Sequence, residues 1–335
     1  MNNRIPTLLR PMVLLSIVLA AQPAATAERK ASQSPSPARV AEIAAMLSPE
    51  PCGAGARIHD RAVWDEVGRA ARFQCFVHGV ETALKKPLPE LPDDLYLDYS
   101  RTGNRERYQK VFFDRHSRFA KLVLAECVEN RGRFLPAIEE ALRAILAEKT
   151  WVLPAHDGSL ANFKGKTVEI DLAASATASS LATAAYWLGD RLSEETRKLV
   201  RSELERRTFA PFEGMVNQGK PRTWWLTGTN NWNAVCLAGV TCAATATIED
   251  RQRRAFFIAA AEKHIQHFLR GFTPDGYCSE GLGYWDYGFG NFMLLAEDIV
   301  RATGGKLDLW EQPKVAAIAQ FARRLEILPG VYPAF

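Results

Sequence analysis

Amide and aromatic side chains are concentrated between residues 222 and 233 of this 335-residue chain. The segment contains Arg222-Thr223-Trp224-Trp225 and, shortly after it, Gly228-Thr229-Asn230-Asn231-Trp232-Asn233. Aromatic rings stack on the apolar faces of sugars, whereas amide and guanidinium groups hydrogen-bond to hydroxyl and carboxylate oxygens. The segment therefore predicts a saccharide site, and its candidate substrate contacts are Arg222, Trp225, Asn230, Trp232 and Asn233.

The asparagines also precede a predicted helix. Trp232, Val235 and Gly239 fall on one face of that helix. Asn230 or Asn231 then occupies the N-cap position, where a short side-chain oxygen accepts a backbone N–H. For either asparagine alone, a structural role as the helix cap is the alternative to a role in catalysis.

A second segment, from Asp275 to Tyr287, is a glycine-rich loop that opens another predicted helix. Its sequence is Asp275-Gly276-Tyr277-Cys278-Ser279-Glu280-Gly281-Leu282-Gly283-Tyr284-Trp285-Asp286-Tyr287. The buried face of the helix is predicted to contain Phe289, Phe292, Met293, Ala296 and Val300. Tyr284 and Tyr287 fall largely on the opposite face, so they are candidates for proton transfer. Packing between neighbouring helices is the alternative for both.

Two histidines are predicted to have different environments and roles. His156, in Pro154-Ala155-His156-Asp157, lies in a loop and is a candidate substrate contact, whereas His264 shares an apolar face with Phe257 and Phe268 and is predicted to lie in the core. The sequence contains no C-x-x-C, His-x-x-x-His or phosphate-loop motif. We therefore expect no metal and no cofactor.

Helical periodicity dominates the chain. Arg105 to Leu146 predicts two helices, a later helix is predicted to end near Gly189, and Ser193 is predicted to cap the next. Turn-rich stretches near 86–98, 148–167, 209–230 and 271–282 recur about every sixty residues, which is room for one helix pair. Since no run alternates like a strand, the sequence predicts an all-α fold of stacked helix pairs, either an open solenoid or a toroid.

The first 27 residues resemble a secretory signal peptide. Arg4 and Arg10 precede a short apolar run from Met12 to Ala21, and Ala25-Thr26-Ala27 provides an A-x-A ending. We expect residues 1–27 to be removed, 28–38 to be flexible, and 39–335 to form one domain in a periplasmic or secreted protein. The net charge of +4 falls to +2 without the two arginines, so no nucleic-acid partner is predicted, and no membrane association after signal removal.

Several motifs together are similar to the heparinase II/III family of polysaccharide lyases. They are Thr229-Asn230-Asn231-Trp232-Asn233-Ala234-Val235, Asp275-Gly276 through Glu280-Gly281 to Tyr284 and Tyr287, Thr150 to His156, Asp171-Leu172-Ala173-Ala174, and Leu188-Gly189-Asp190. The resemblance covers roughly residues 100 to 330. It implies an exported lyase with an incomplete (α/α) toroid, acting on an anionic polysaccharide that contains uronic acid, of the heparin, heparan sulfate or alginate type.

The resemblance also implies residue roles. Asn231 would neutralise the uronate carboxylate, Tyr287 would transfer the proton, Tyr284 would be the reserve for that role, and Glu280 would contact substrate. β-Elimination removes a weakly acidic proton beside the carboxyl group, so hydrogen bonds that stabilise the developing charge lower the barrier. A tyrosine with its ordinary pKa of about 10 needs a cationic neighbour to act as a base, and Arg222 is the candidate.

The chain departs from the family pattern in two respects. Trp232 stands where many members have a histidine, which removes an ionisable group from that position. The sequence reaches Phe335 without the strand-rich region of the family's C-terminal β-sandwich, so we expect either a fragment of a longer protein or a toroid without that domain, and in both cases an inactive isolated chain is an alternative.

Two other functions compete with the lyase. A glycoside hydrolase on a helical toroid would use a pair among Asp275, Glu280 and Asp286 as acid and base, although capping and solvent exposure also explain these acids. A non-catalytic saccharide-binding fragment would need only the amide and aromatic cluster.

Overall fold

The computed structural model of the protein describes residues 33–332. The predicted signal peptide and residues 28–32 of the predicted flexible segment lie outside this range. Within it the chain is mostly helical and contains no β-strand, only an isolated bridge between Leu328 and Val331. The all-α prediction is therefore confirmed.

Fourteen α-helices lie within the described range. The first seven are α1 (Pro37–Met46), α2 (Arg61–Arg69), α3 (Ala71–Leu84), α4 (Asp93–Thr102), α5 (Glu106–Glu129), α6 (Leu135–Leu146) and α7 (Leu172–Leu188). The others are α8 (Glu194–Leu204), α9 (Ala210–Gln218), α10 (Asn231–Thr247), α11 (Arg251–Arg270), α12 (Leu282–Ala302), α13 (Pro313–Ala319) and α14 (Phe321–Leu325). A π-helical turn, Glu205–Phe209, joins α8 to α9.

Helices α7, α10 and α12 form the centre of the molecule, with α10 in the middle. Almost every residue of α10 is buried, because neighbours cover it on several sides. At Gly239 the backbone of α10 approaches α7 so closely that an added Cβ would lie 2.5 Å from the Ser175 carbonyl oxygen. On the other side, the Thr245 hydroxyl donates a 2.8 Å hydrogen bond to Asp298 of α12. Near their starts, α10 and α12 meet where Asn231 contacts Gly288, so these helices run parallel.

The remaining helices cover this centre. Helix α11 packs on α10 and is itself covered by α1, while α6 lies between α5 and α8. Residues 33–38, part of the segment predicted to be flexible, contact this layer. The Ser34 hydroxyl donates to the Val216 carbonyl (3.2 Å), and His264 Nε2 donates to the Gln33 carbonyl (2.8 Å).

Side-chain caps set where the central helices begin. Asp171 accepts from the backbone N–H of Ala174 at the start of α7 (2.7 Å), and Asn230 accepts from that of Trp232 at the start of α10 (3.3 Å). Ser193 caps α8 as predicted. These contacts satisfy backbone donors that have no partner within the helix, and they fix the entry of each preceding loop.

The helices and the cysteines each have one further property. In the part of the chain that the structure describes, no helix combines the length and hydropathy needed to cross a bilayer. All six cysteines lie in this part and are free thiols.

Candidate functional site

The two segments singled out in the sequence meet at one end of the central helices. An added Cβ on Gly288 would lie 3.0 Å from the Cβ of Asn231, so the second turn of α12 rests directly on the first turn of α10. Tyr287 precedes Gly288 on α12, which places it at this same end of the central helices. Helix α7 begins at the same end, after Asp171. Three helix starts, each with a partial positive charge, are therefore gathered here.

Asn231 is held by Glu280. Its side-chain Nδ2 donates to Glu280 Oε1 at 3.2 Å, and its backbone N–H donates to Oε2 at 3.1 Å. The residue is 3% exposed, and its Oδ1 has no hydrogen-bond partner among the described residues. Glu280, predicted to contact substrate, therefore orients the Asn231 amide in this structure.

Two other predicted substrate contacts lie in the core. Trp225 is 2% exposed, and its indole N–H donates to the Ile170 carbonyl at 2.7 Å. Asn233 is fully buried, and its Nδ2 donates to the carbonyls of Trp225 (3.0 Å) and Leu226 (2.9 Å). Both side chains hold the 224–230 loop against the helices, and neither presents a surface to a sugar.

Three other aromatic side chains, and not Trp225, form the surface predicted to stack on a sugar. Trp224, with 55% of its surface exposed, lies 5.0 Å from the ring of Trp232, measured between centroids. The ring of His156 follows, 4.7 Å from Trp232 in an edge-to-face arrangement. We call Trp224, Trp232 and His156 the aromatic row. The sequence predicts Trp225 as the sugar contact and not Trp224, because two adjacent tryptophans carry no local signal for which of them is buried.

His156 is bound to Asp171. Its Nδ1 lies 2.7 Å from Asp171 Oδ2, and this same oxygen accepts the backbone N–H of Leu153 at 3.0 Å. The other carboxylate oxygen is the cap of α7. A carboxylate that caps a helix is an acceptor, so the proton of this bond sits on Nδ1 and the lone pair of a neutral ring sits on Nε2. Asp171 belongs to one of the family motifs, but no spacing in the sequence indicates that it binds His156.

Tyr287 and Tyr284 are both solvent-accessible, with 41% and 56% of their surfaces exposed. Burial of the remainder raises the pKa of Tyr287, and the proximity of Cys236 and Asp171 raises it further. The predicted cationic partner is not among these influences, and Arg222 is exposed on its loop. Tyr287 is therefore protonated at neutral pH and suited to donate a proton, which corrects the expectation that Arg222 activates it as a base.

The three acids considered for a hydrolase lie in different surroundings. Asp275 is exposed, and a hydrogen bond from the Thr273 hydroxyl lowers its pKa. Asp286 is exposed as well, and Glu280 is bound to Asn231. A general acid in a glycosidase needs a raised pKa, and Asp275 shows the opposite shift.

Close backbone contacts hold the loop that carries Trp224. A Cβ added to Gly271, after α11, would lie 1.9 Å from the Thr229 carbonyl oxygen. A Cβ on Gly228 would lie 3.3 Å from the ring of Trp224. The absence of side chains at these two positions lets the loop fold tightly between α11 and the start of α10.

Within residues 33–332, no group of three or more His, Cys, Asp and Glu side chains is arranged to hold a metal ion. The site is instead built from amide, imidazole, phenol and indole groups.

A scan of the chain against protein-family models and a search of curated proteins give no match. The resemblance to heparinase II/III lyases thus depends on the quoted motifs.

Proposed function

We propose that this protein is an exported polysaccharide lyase of the heparinase II/III type, which cleaves a uronic-acid-containing polysaccharide by β-elimination. The observation that carries the proposal is the junction of Asn231 with Gly288. This contact brings an amide and a phenol, the two groups needed at a uronate, to the same end of the central helices as the aromatic row. Stacking on that row would seat the sugar beside them.

Asn231 is the group proposed to neutralise the substrate carboxylate. A side-chain amide nitrogen has two hydrogens, so the bond to Glu280 leaves one for a second acceptor. The nearby helix starts favour an anion at this end. Because Asn231 is 3% exposed, substrate contact requires the side chains that cover it to move, while the hydrogen bonds to Glu280 keep the amide oriented.

Tyr287 is proposed to protonate the leaving oxygen. Its raised pKa keeps the phenol protonated until the glycosidic bond breaks. Tyr284, one turn earlier and more exposed, is the reserve for this role.

We also propose a specific arrangement of the helices. Parallel α7, α10 and α12 lie side by side, and α11 returns on the outer side of α10. This order is what an incomplete (α/α) toroid requires of its inner and outer helices. We propose that arrangement, with periplasmic or secreted localisation and an anionic polysaccharide partner. In the family it resembles, a C-terminal β-sandwich completes the groove.

The decisive experiment incubates the protein with heparan sulfate, hyaluronan and alginate. A lyase creates a C=C bond in the product, and the ultraviolet absorbance of that bond should rise in step with new reducing ends. Reducing ends without absorbance would indicate hydrolysis and overturn the proposal.

Tyr287→Phe tests the assigned proton donor. Removing the hydroxyl should lower kcat by about 100-fold to 10,000-fold while oligosaccharide binding persists. Tyr284→Phe, on the same helix, is the matched control and should retain most activity. A reversal of these two results would move the role to Tyr284.

Saccharide binding without catalysis is the second candidate. It is favoured by the contrast between the exposed Trp224 and the buried, engaged Asn231. Binding of all three polymers with neither absorbance nor reducing ends would establish it in place of the lyase.

A further inference from the structure

The assignment of Tyr287 as donor leaves the reaction without a group that removes the first proton. We propose that His156 is this base, a further catalytic residue, and that Asp171 is the residue that positions it. The inference rests on the proposed β-elimination and adds a participant to it.

The orientation of the His156 imidazole suits a general base. The 2.7 Å bond between Nδ1 and Asp171 Oδ2 fixes the ring, and the proton on Nδ1 leaves Nε2 as the only acceptor. The His156 side chain is 19% exposed, which gives access to a substrate while shielding the dyad from bulk water. Such a carboxylate–imidazole pair is the usual arrangement of an activated general base.

The position of His156 near the other proposed groups also favours this role. The His156 ring packs against Trp232, and Trp232 follows Asn231 in the first turn of α10. On the other side, Asp171 lies close enough to Tyr287 to raise its pKa. The imidazole therefore lies at the same end of the central helices as the amide proposed to bind the carboxylate and the phenol proposed to act as acid.

The neighbouring acid does not compete for the ring. Asp157 accepts hydrogen bonds from the Tyr96 hydroxyl (3.1 Å) and from the backbone N–H groups of Asn162 (3.1 Å) and Phe163 (2.9 Å). These bonds hold the loop around His156 in shape, and they leave Asp171 as the carboxylate that orients the imidazole.

His156 Nε2 takes the proton from the carbon beside the uronate carboxyl, and the electrons of that C–H bond form the C=C bond. The neighbouring C–O bond breaks, and the leaving oxygen receives the Tyr287 proton. The imidazolium then loses a proton to solvent and the phenolate gains one, so the net reaction converts one chain into an unsaturated end and a free hydroxyl.

Chemical rescue tests the base directly. In the lyase assay, His156→Ala should lower kcat by at least about 100-fold with KM changed only a few-fold, and added imidazole should restore part of the rate. His78→Ala is the control, because that side chain is 82% exposed. If wild-type protein and His78→Ala are active and His156→Ala retains full activity, the inference is overturned while the lyase survives.

Asp171→Asn separates positioning from folding. Asparagine caps helices as well as aspartate does, so α7 should keep its stability. The amide cannot replace the charge that stabilises the imidazolium, so kcat should fall about 10-fold to 100-fold. Unchanged kcat with unchanged thermal stability would remove Asp171 from the proposal.

A spectroscopic measurement covers the case of an inactive wild type. Long-range ¹H–¹⁵N spectra of Tyr287→Phe should show the neutral His156 ring protonated on Nδ1, and an alginate or heparan sulfate tetrasaccharide should shift its Nε2 resonance. Absence of polymer cleavage would defeat the proposed function. A ring protonated on Nε2, or no shift with either tetrasaccharide, would defeat the role of His156 independently.

Discussion

Trp224 and Trp225 are consecutive in the chain and have opposite environments, with 55% and 2% of their surfaces exposed. The first extends the aromatic row, and the second donates its indole N–H to Ile170 in the core. One tryptophan is thus available for a ligand and the other for packing.

Alanine at each position should therefore give separable results. Trp224→Ala should weaken oligosaccharide binding by about tenfold and leave the free energy of unfolding unchanged, because only a stacking surface is lost. Trp225→Ala should lower the free energy of unfolding by about 3–5 kcal/mol through the cavity it creates. Calorimetric titration and urea unfolding measure the two effects, and an equal loss of stability in both variants would contradict the division.

Glu280 is predicted to act through the orientation of Asn231. Glu280→Ala leaves the backbone N–H and the side-chain Nδ2 of Asn231 without their acceptor, which should cost about 1–3 kcal/mol of stability and most of the activity. Glu280→Gln keeps one acceptor oxygen and should retain more of both. Urea unfolding and the absorbance assay report the outcomes. Activity of Glu280→Ala equal to wild type would exclude this role.

His264 should make the fold sensitive to acid. The residue is 2% exposed, as its predicted core position requires, and burial lowers its pKa to about 4. The unfolded chain, with an ordinary pKa of about 6.5, binds the proton more readily. Stability from this residue is therefore complete above about pH 6.5 and falls by up to about 3 kcal/mol as the pH drops towards 4.

The measurement compares urea unfolding of wild type and His264→Gln across this pH range. Their difference in free energy should shrink as the pH falls. His78→Gln, which alters an exposed histidine, is the control. Parallel pH profiles for wild type and His264→Gln would disprove the assignment.

Gly239 should be indispensable for the contact between α7 and α10. Because an added Cβ would lie 2.5 Å from the Ser175 carbonyl oxygen, Gly239→Ala must push the two helices apart, at a cost of about 1–3 kcal/mol. Gly290 of α12 has open space around it, and Gly290→Ala should stabilise the protein by about 0.5–1 kcal/mol. Thermal unfolding of both variants distinguishes packing from intrinsic helix propensity.

Much of the helical fold was predictable because its signals are local. Helices α5 and α6 fall within Arg105–Leu146, α7 ends before Gly189, and Ser193 caps α8. Helical periodicity alone predicted less reliably which side chains of a helix are buried. Met293, predicted for the buried face of α12, is 42% exposed, because that helix contacts neighbours over a narrower arc than its apolar stripe suggests.

The segments that form the site could be predicted from the sequence, but the contacts between them could not. Asn231 and Tyr287 were chosen from motifs, but the engagement of Asn231 by Glu280 joins positions 49 residues apart. The bond between His156 and Asp171 likewise depends on how the 150–171 loop folds back on the start of α7. Such contacts follow from tertiary packing, and no spacing rule in one sequence specifies them.

Gly271 has a consequence for anyone who maps this protein by saturation mutagenesis. It lies at the end of α11, yet any side chain there would collide with Thr229 and displace the stretch leading to the amide cluster. Substitutions at this position should abolish activity as thoroughly as those at a reacting group. A screen scored on turnover alone would therefore flag a residue that has no functional group to contribute, and measuring the abundance of each folded variant in parallel would expose the difference.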